Sequence, residues 1–480
     1  MNSLIRQILL RLCATLIALL VSGCAAVGPD YNAPTVTVPT TWQSKLQGGL
    51  STGETQGLAN WWTVFHDPVL SRLVKQAVTD NLDLKKARAR LLEARAKRLM
   101  SQSGLYPTLN SSASFTKSRN NNTETNLYNI GFDAGWELDI FGGVRRSVEA
   151  ATADLEARKE DLRDILVTLL AEVAQNYIDV RTYQTRLTLT SDNIKIQAES
   201  LQLIKSRYES GLATDLDVQQ ATYSLENSRS QLPSLRTGLE NAMNSLALLL
   251  GQPPGAVHEQ LTTKGLIPLA PPQVAVGVPA DVIRRRPDIR RAERQLAAQS
   301  ARVGVATAAL YPTLKLSGSI GLEALSANHL FDSANRTSRL GPGISWPIFD
   351  AGEIRANITA QSAVKEQDLI QYGSTVLTAL NEVENAMTSY ANEQGRDQSL
   401  KLSAAAALKA LNLAKIRYGA GLTDFTVVLD AQRTLLSVQD QLAQSSSTVS
   451  VDLVRLYKSL GGGWTSLAAT STISDEELRK

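Results

Sequence analysis

The feature that most constrains the fold is residues 144–210, a stretch of 67 residues that contains neither proline nor glycine. Because neither helix breaker occurs, the stretch can form one helix, which at ~1.5 Å per residue is about 100 Å long. From Leu162 to Tyr208, positions spaced alternately four and three residues apart are mostly apolar, as in coiled coils. An ordinary globular core needs no helix of this length, so the sequence predicts a rod that packs along other helices.

The chain contains two copies of one unit. The sequence Tyr-Pro-Thr-Leu occurs at 106–109 and again at 311–314, which is 205 residues later. The sequence Arg-Tyr-x-x-Gly-Leu occurs at 207–212 and again at 417–422, which is 210 residues later. Matching anchors in one order at nearly one spacing indicate an internal duplication.

The N-terminus has the pattern of a bacterial export signal. Arg6 and Arg11 accompany a short apolar core, Leu12–Val21, which is shorter than the ~20 residues needed to cross a bilayer. Small residues then lead to Cys24, an arrangement that resembles the lipobox, in which the cysteine becomes the acylated first residue. Ala25 follows, and under the sorting rule of such lipoproteins this implies outer-membrane delivery. A plain signal peptide with a coincidental cysteine is the alternative.

These features divide the chain into six segments. They are a lipoprotein signal peptide (1–23), a lipidated tail with an equatorial segment (24–67), repeat 1 (68–251), an inter-repeat joint (252–280), repeat 2 (281–461) and a C-terminal tail (462–480). In repeat 1, two shorter helical segments, 68–103 and 215–250, are expected to lie end to end beside the long helix.

The turn after each long helix is predicted to be the far tip of a helical hairpin. Glycine follows the long helix in both copies, where a left-handed C-terminal cap is favoured. Thr214 or Asp215 can cap the next helix of repeat 1. The predicted tip turns are Gly211, Leu212, Gly421 and Leu422.

Near the start of each long helix, the periodicity changes to two. Between Tyr128 and Ile140, apolar residues alternate with Asn, Gly, Asp and Glu. The expected strands are about 105–118, 127–140, 313–323 and 339–349. Segments of about ten residues that are apolar on one side are typical of membrane barrels. A soluble hairpin packed on a core is the alternative.

Two strands per copy give four per chain, and this number bears on assembly. Four strands cannot close a barrel, and an open sheet edge in lipid leaves backbone groups unpaired at several kcal/mol each. Two chains would supply eight strands around a filled interior, whereas three would supply twelve around an aqueous lumen. The polar strand faces and the long helices favour three chains.

Composition argues against several other classes of protein. Lys+Arg total 49 and Asp+Glu total 46, so no strongly basic surface for nucleic acid is expected. With two cysteines, three scattered histidines and no phosphate loop or nucleophile elbow, the sequence predicts no metal, no cofactor other than the lipid on Cys24, and no enzyme activity.

The whole mature chain resembles the TolC-like outer-membrane factor family of tripartite efflux systems. The lipobox and Pro279–Ile289 (PADVIRRRPDI) resemble the NodT-type outer-membrane lipoprotein branch. The resemblance implies a mostly α fold in a homotrimer, with a twelve-stranded outer-membrane barrel above a twelve-helix periplasmic tunnel. It also implies a periplasmic adaptor (membrane fusion) protein and an inner-membrane pump, often proton-driven and of the RND type.

The resemblance also implies a periplasmic gate at the helical tips. Tyr418 falls on the family's linking tyrosine, Asp217 on its partner, and Asp430 on a lumen aspartate. Val427 and Thr423 depart from the residues that the family has at two other gate positions. For Asp430, a solvated helix surface is the alternative to a lumen position.

The function predicted from the sequence is passive export of drugs or other small toxic compounds across the periplasm and outer membrane, and hence a part in antibiotic resistance. One alternative is the outer-membrane conduit of a type I protein secretion system. Another is a periplasmic coiled-coil scaffold that conducts nothing.

Overall fold

The computed structural model describes residues 26–464, except for 54–57, 122 and 272. The predicted signal peptide, the predicted lipidation site Cys24 and most of the predicted C-terminal tail lie outside the described residues.

Helices make up most of the described chain. In chain order they are α1 (Pro68–Asp80), α2 (Leu82–Ser103), α3 (Gly143–Glu209), α4 (Asp215–Leu249), α5 (His258–Leu261), α6 (Pro279–Arg285), α7 (Pro287–Ala308), α8 (Glu353–Gly419) and α9 (Phe425–Ser459). The long helices α3 and α8 have 67 residues each, the following helices α4 and α9 have 35 each, and α2 and α7 have 22 each. These equal lengths confirm that the two copies fold alike.

Residues 68–103 form two helices rather than one continuous segment. The break is at Asn81, whose side-chain oxygen accepts a hydrogen bond from the Leu84 backbone N–H at 2.9 Å. Its side-chain nitrogen donates to the Leu249 carbonyl oxygen at 2.9 Å. Asn81 therefore caps the start of α2 and ties it to the end of α4.

The strands are β1 (Leu50–Ser51), β2 (Thr108–Asn120), β3 (Thr123–Leu138), β4 (Val274–Ala275), β5 (Thr313–Ala324) and β6 (Arg336–Ser345). β1 and β4 form a small parallel pair. The other four form one antiparallel sheet in the order β2-β3-β5-β6. The four strands predicted from the sequence are thus present and adjacent.

The first two strands and the last differ by a few residues from their predicted extents, and for the last the prediction was 339–349. The last strand starts three residues earlier and ends at Ser345. Pro347 lies just beyond, and proline has no N–H for a further ladder bond. The indole N–H of Trp346 instead donates to the Leu310 carbonyl oxygen at 3.0 Å. In the first copy, Trp136 makes the same bond to Leu105 at 3.1 Å.

The chain forms two compact units. The sheet unit comprises the described part of residues 1–36, together with 89–160 and 290–375. The hairpin unit comprises the described parts of 37–88, 161–289 and 376–480. Within the described residues, no helix is long and apolar enough to cross a membrane.

The core of the hairpin unit near the tips joins residues of both copies. Ile204, at 0% exposure, packs in one apolar cluster with Leu411, Phe425 and Val428. Heptad positions of α3 therefore supply a buried seam, as the spacing predicts.

Candidate functional site: the sheet and the helical tips

The four-stranded sheet is apolar on one face, and no other described part of the chain covers that face. Large apolar side chains on this face are widely exposed: Leu109 (70%), Phe115 (55%), Phe132 (54%), Ile320 (65%) and Leu340 (81%). A hairpin packed on a soluble core would bury such residues, so the soluble alternative is wrong for this sheet. A face of this kind needs lipid or another protein against it.

The opposite face of the same sheet is polar. Ser112 donates a side-chain hydrogen bond to Asp133 at 3.1 Å, and Ser317 donates to the Gly341 carbonyl oxygen at 3.4 Å. Lys315 and Glu137 form a cross-strand ion pair at 3.7 Å. A sheet with one apolar and one polar face suits the wall of a water-filled pore.

The two tip turns have the same backbone geometry. Gly211 and Gly421 have φ of +72° and +70°, in the left-handed region that favours glycine. The backbone N–H of Leu212 donates to the Arg207 carbonyl oxygen at 2.8 Å, and that of Leu422 donates to the Arg417 carbonyl oxygen at 2.9 Å. These bonds close the C-terminal ends of α3 and α8 in the Schellman manner. Both leucines are exposed, at 75% and 68%.

The helix that follows each tip starts differently in the two copies. At the start of α4, the backbone N–H of Thr214 donates to the Asp217 carboxylate at 2.9 Å, and the Asp217 N–H donates to the Thr214 hydroxyl at 3.3 Å. This is a reciprocal capping box. At the start of α9, the cap residue is Asp424, which makes no side-chain capping bond. Val427 stands 210 residues after Asp217 and cannot complete a box.

Tyr418 contacts an arginine of the other copy. The guanidinium carbon of Arg207 lies 4.6 Å from the centroid of the Tyr418 ring, and the Phe425 ring lies 5.4 Å away. A cation over an aromatic face is stabilising, so this contact joins the ends of α3 and α8 within one chain. No sequence signal near Arg207 identifies Tyr418 as its partner, so the sequence analysis missed this contact.

The predicted bond between Tyr418 and Asp217 is not present within one chain, among the residues that the structure describes. The Asp217 carboxylate is occupied by Thr214, whose hydroxyl donates to it at 2.7 Å. A link between the two residues in neighbouring chains stays a prediction. Asp430 has a side chain that is 65% exposed and 3.5 Å from Arg433, which fits either of its two predicted settings.

Arg146, near the start of α3, holds the first described residues of the chain. Its side chain is 6% exposed and contacts Asp30 at 2.7 Å and Glu149 at 2.8 Å. Its Nε donates to the Val27 carbonyl oxygen at 3.1 Å. Burial opposes the charge, but the hydrogen bonds to both carboxylates outweigh it and raise the pKa of Arg146. The N-terminal segment is therefore fixed to the sheet unit a few residues after Cys24.

Arg286, in the RRRPD stretch, is a second buried arginine. Its side chain is 9% exposed and lies 2.7 Å from both Asp288 and Glu382. It also donates to the Ser459 carbonyl oxygen at 3.0 Å. A run of arginines is ordinarily found at the surface, but Arg286 is buried because its three partners enclose it.

Comparisons with known proteins agree along most of the chain. The outer membrane efflux protein family matches residues 73–252 and 278–462. Nodulation protein T of Rhizobium leguminosarum bv. trifolii is 31% identical over 458 residues, covering 94% of this chain and 97% of that protein. The toluene efflux pump outer membrane protein TtgF of Pseudomonas putida is 30% identical, covering 93% of this chain and 96% of that protein. The solved structure of the outer-membrane channel OprN is 37% identical with a TM-score of 0.85, covering 92% of this chain and 100% of that one.

Proposed function

Because the chain belongs to the outer membrane efflux protein family, we propose that it is the outer-membrane duct of a tripartite pump that exports small toxic organic compounds. The resemblance to TolC-like channels is confirmed, as is the efflux function. Channels with this fold are trimers that combine a barrel with a helical tunnel. One relative is a toluene efflux pump outer membrane protein, which supports small apolar molecules as cargo.

One observation carries the duct function. Among the described residues of a single chain, the sheet presents an apolar face, a polar face and two unpaired edge strands. Three copies joined edge to edge would supply a closed wall with lipid outside and water inside. A non-conducting scaffold gives no reason for this arrangement. No observation favours protein secretion over small-molecule efflux.

The direct test is conductance of the purified protein in planar bilayers. We expect a trimer in mild detergent and discrete single-channel steps. A deletion strain should accumulate a fluorescent drug, and the wild-type gene should restore export. A monomer without conductance would refute the proposal.

The proposal includes a lipid anchor on Cys24 and no enzymatic activity, with energy supplied by the inner-membrane pump through the adaptor. The Arg146 contacts support an anchor, because they place residues 27–30 on the sheet unit just after that cysteine. One lipid chain alone binds membranes weakly, whereas several anchor stably. Radiolabelled palmitate should be incorporated by the wild type and not by Cys24→Ser.

The gate is proposed at the tips, where Tyr418, Asp217 and Asp430 remain the candidates. Opening would separate contacts between tips. The double variant Tyr418→Phe with Asp217→Ala should raise single-channel conductance if a link between chains keeps the tip closed. Asp217→Asn alone is the matched control, since an amide oxygen can still accept from Thr214. Unchanged conductance in the double variant would refute this link.

A further inference from the structure

In the part of the chain that the structure describes, the four-stranded sheet ends in two strands with no outer neighbour, β2 and β6. We propose that β6 of one copy pairs with β2 of the next copy in a defined register, with Gly343 opposite Ser114 and Ile344 opposite Ala113. The inference rests on the trimeric channel proposed above and specifies the residues at its joints. The partner is a second copy of this chain.

The two hairpins of one chain are built in the same register. Equivalent residues lie 205 apart in β2 and β5, and 210 apart in β3 and β6. Leu109 pairs with Ala134 in the first hairpin. The equivalent residues, Leu314 and Ile344, pair in the second. The duplication therefore preserves pairing to the residue.

One further joint is visible in the chain, between β3 of the first hairpin and β5 of the second. Asp133 pairs with Ser319 there, and Ala134 pairs with Gly318. Because the two hairpins of one chain share a register, we take the joint between chains to repeat the joint within a chain, which gives a uniform strand stagger around the barrel. The residue equivalent to Asp133 in β6 is Gly343, 210 residues later, and the residue equivalent to Ser319 in β2 is Ser114, 205 residues earlier. Gly343 therefore pairs with Ser114 across the joint between chains.

The apolar face of the sheet supports the same register independently. Ile344 and Leu340 lie on the apolar face of β6, and Ala113 and Phe115 lie on that of β2. The proposed register puts Ile344 opposite Ala113, so the apolar face continues across the joint. A slip of one residue would place these side chains on opposite faces of the wall.

A slip of two residues keeps each side chain on the same face of the sheet but changes which residues lie opposite each other across the joint. In one direction, such a slip brings Arg336 directly opposite Arg119, and like charges in that position are destabilising. In the proposed register Arg119 faces Ser338 instead. A slip in the other direction would leave residues 108–113 of β2 unpaired, compared with 108–111 in the proposed register, and lipid offers these backbone groups no hydrogen bonds.

Disulfide cross-linking tests the register. The mature chain has no cysteine other than Cys24, because Cys13 lies in the predicted signal peptide. The variant Gly343→Cys with Ser114→Cys should give covalent trimers on oxidation with copper phenanthroline, seen by non-reducing gel electrophoresis. A side chain at Gly343 has room, since an added Cβ would meet only the Lys315 carbonyl oxygen at 3.9 Å.

The matched controls pair Gly343→Cys with Ser112→Cys or with Thr116→Cys. They lie on the same face and differ only in register. Direct partners have Cβ atoms about 4.5–5.5 Å apart, whereas diagonal neighbours are at about 7–8 Å and too distant for a disulfide. Opposed residues in an antiparallel sheet alternate between hydrogen-bonded pairs and closer pairs without hydrogen bonds. Ile344→Cys with Ala113→Cys therefore tests the type of pair that Gly343→Cys with Ser114→Cys does not.

We expect the two proposed pairs, or at least the closer of them, to cross-link tenfold or more faster than either control. Faster cross-linking of a control, or no cross-link in a trimer that forms, overturns the register. If the wild type is trimeric and conducts while a control cross-links faster, only the register is wrong. If the wild type is a monomer without conductance, the proposed function fails as well.

Discussion

Removing the Arg286 side chain should destabilise the hairpin unit measurably. The guanidinium joins three segments of that unit, since Asp288 lies in α7, Glu382 in α8 and the Ser459 carbonyl at the end of α9. Burial opposes its charge, but hydrogen bonds and attraction from Asp288 and Glu382 outweigh this and raise the pKa of Arg286. It therefore stays charged at all ordinary pH values.

The size of the effect follows from what is left behind. Breaking a buried ion pair by removing one partner costs about 3–5 kcal/mol. The Glu382 side chain is 48% exposed and can be rehydrated, so the low end, about 3 kcal/mol, applies to Arg286→Ala. Unfolding entropy for a chain of this length is about 1 kcal/mol per degree, which predicts a melting temperature lower by about 3 °C.

The assay is thermal unfolding followed by circular dichroism at 222 nm, on the purified protein in detergent. Glu382→Gln is the matched control, and it should lower the midpoint by less than about 1 °C because a half-exposed ion pair contributes little. Arg286→Lys should fall between the two, since it keeps the charge but loses the planar fork. An Arg286→Ala midpoint equal to that of wild type, or an equal loss in Glu382→Gln, would refute this account.

Three further predictions concern other contacts. Arg146→Ala should release the N-terminal segment, so that a protease site inserted before Pro34 is cut faster than in wild type; equal rates would show that Arg146 does not hold it. Burial raises the pKa of Asp452, and the nearby Arg455 only partly offsets this. Because the charged carboxylate is destabilising in the folded state, Asp452→Asn should raise the melting temperature at pH 7. It should have no effect at pH 3, where the carboxyl is protonated in both the folded and the unfolded protein. A lower melting temperature of Asp452→Asn at pH 7 would contradict this account. Arg207→Ala removes the cation from the Tyr418 ring at a cost of about 0.5–2 kcal/mol. It should increase the fraction of time that the channel is open in planar bilayers, and Arg207→Lys should change this fraction less. An unchanged open fraction in Arg207→Ala would exclude a role for this contact in closing the tip.

Local pattern in the sequence was enough for the long elements. The run without proline or glycine at 144–210 became α3, Gly143–Glu209, because neither of the two strongest helix breakers occurs in it. Alternating apolar and polar residues predicted the strands, and the recurring sequence Arg-Tyr-x-x-Gly-Leu predicted the tip turns. In each case the signal lies within a few residues of the feature that it predicts.

Contacts between distant residues could not be obtained in this way. Arg146 and Asp30 are 116 residues apart, and nothing near either one marks the partner. Arg207 and Tyr418 belong to different copies, and each is explained equally well by its own helix. The last strand ends at Ser345 because this residue pairs with Thr313, the first residue of the neighbouring strand β5. Tertiary structure decided all three.

The helices that follow the two tips start differently, so each chain has one tip followed by a capped helix, α4, and one followed by a helix without a side-chain cap, α9. A missing side-chain cap costs about 1 kcal/mol, which corresponds to roughly fivefold more frequent fraying of the first turn. Amide hydrogen exchange should accordingly be faster at 425–427 than at 215–217. In a ring of six tips, loose and firm ones would alternate, so thermal motion at the periplasmic mouth would have threefold rather than sixfold symmetry. Three of the tips would start to move while the other three stay in place.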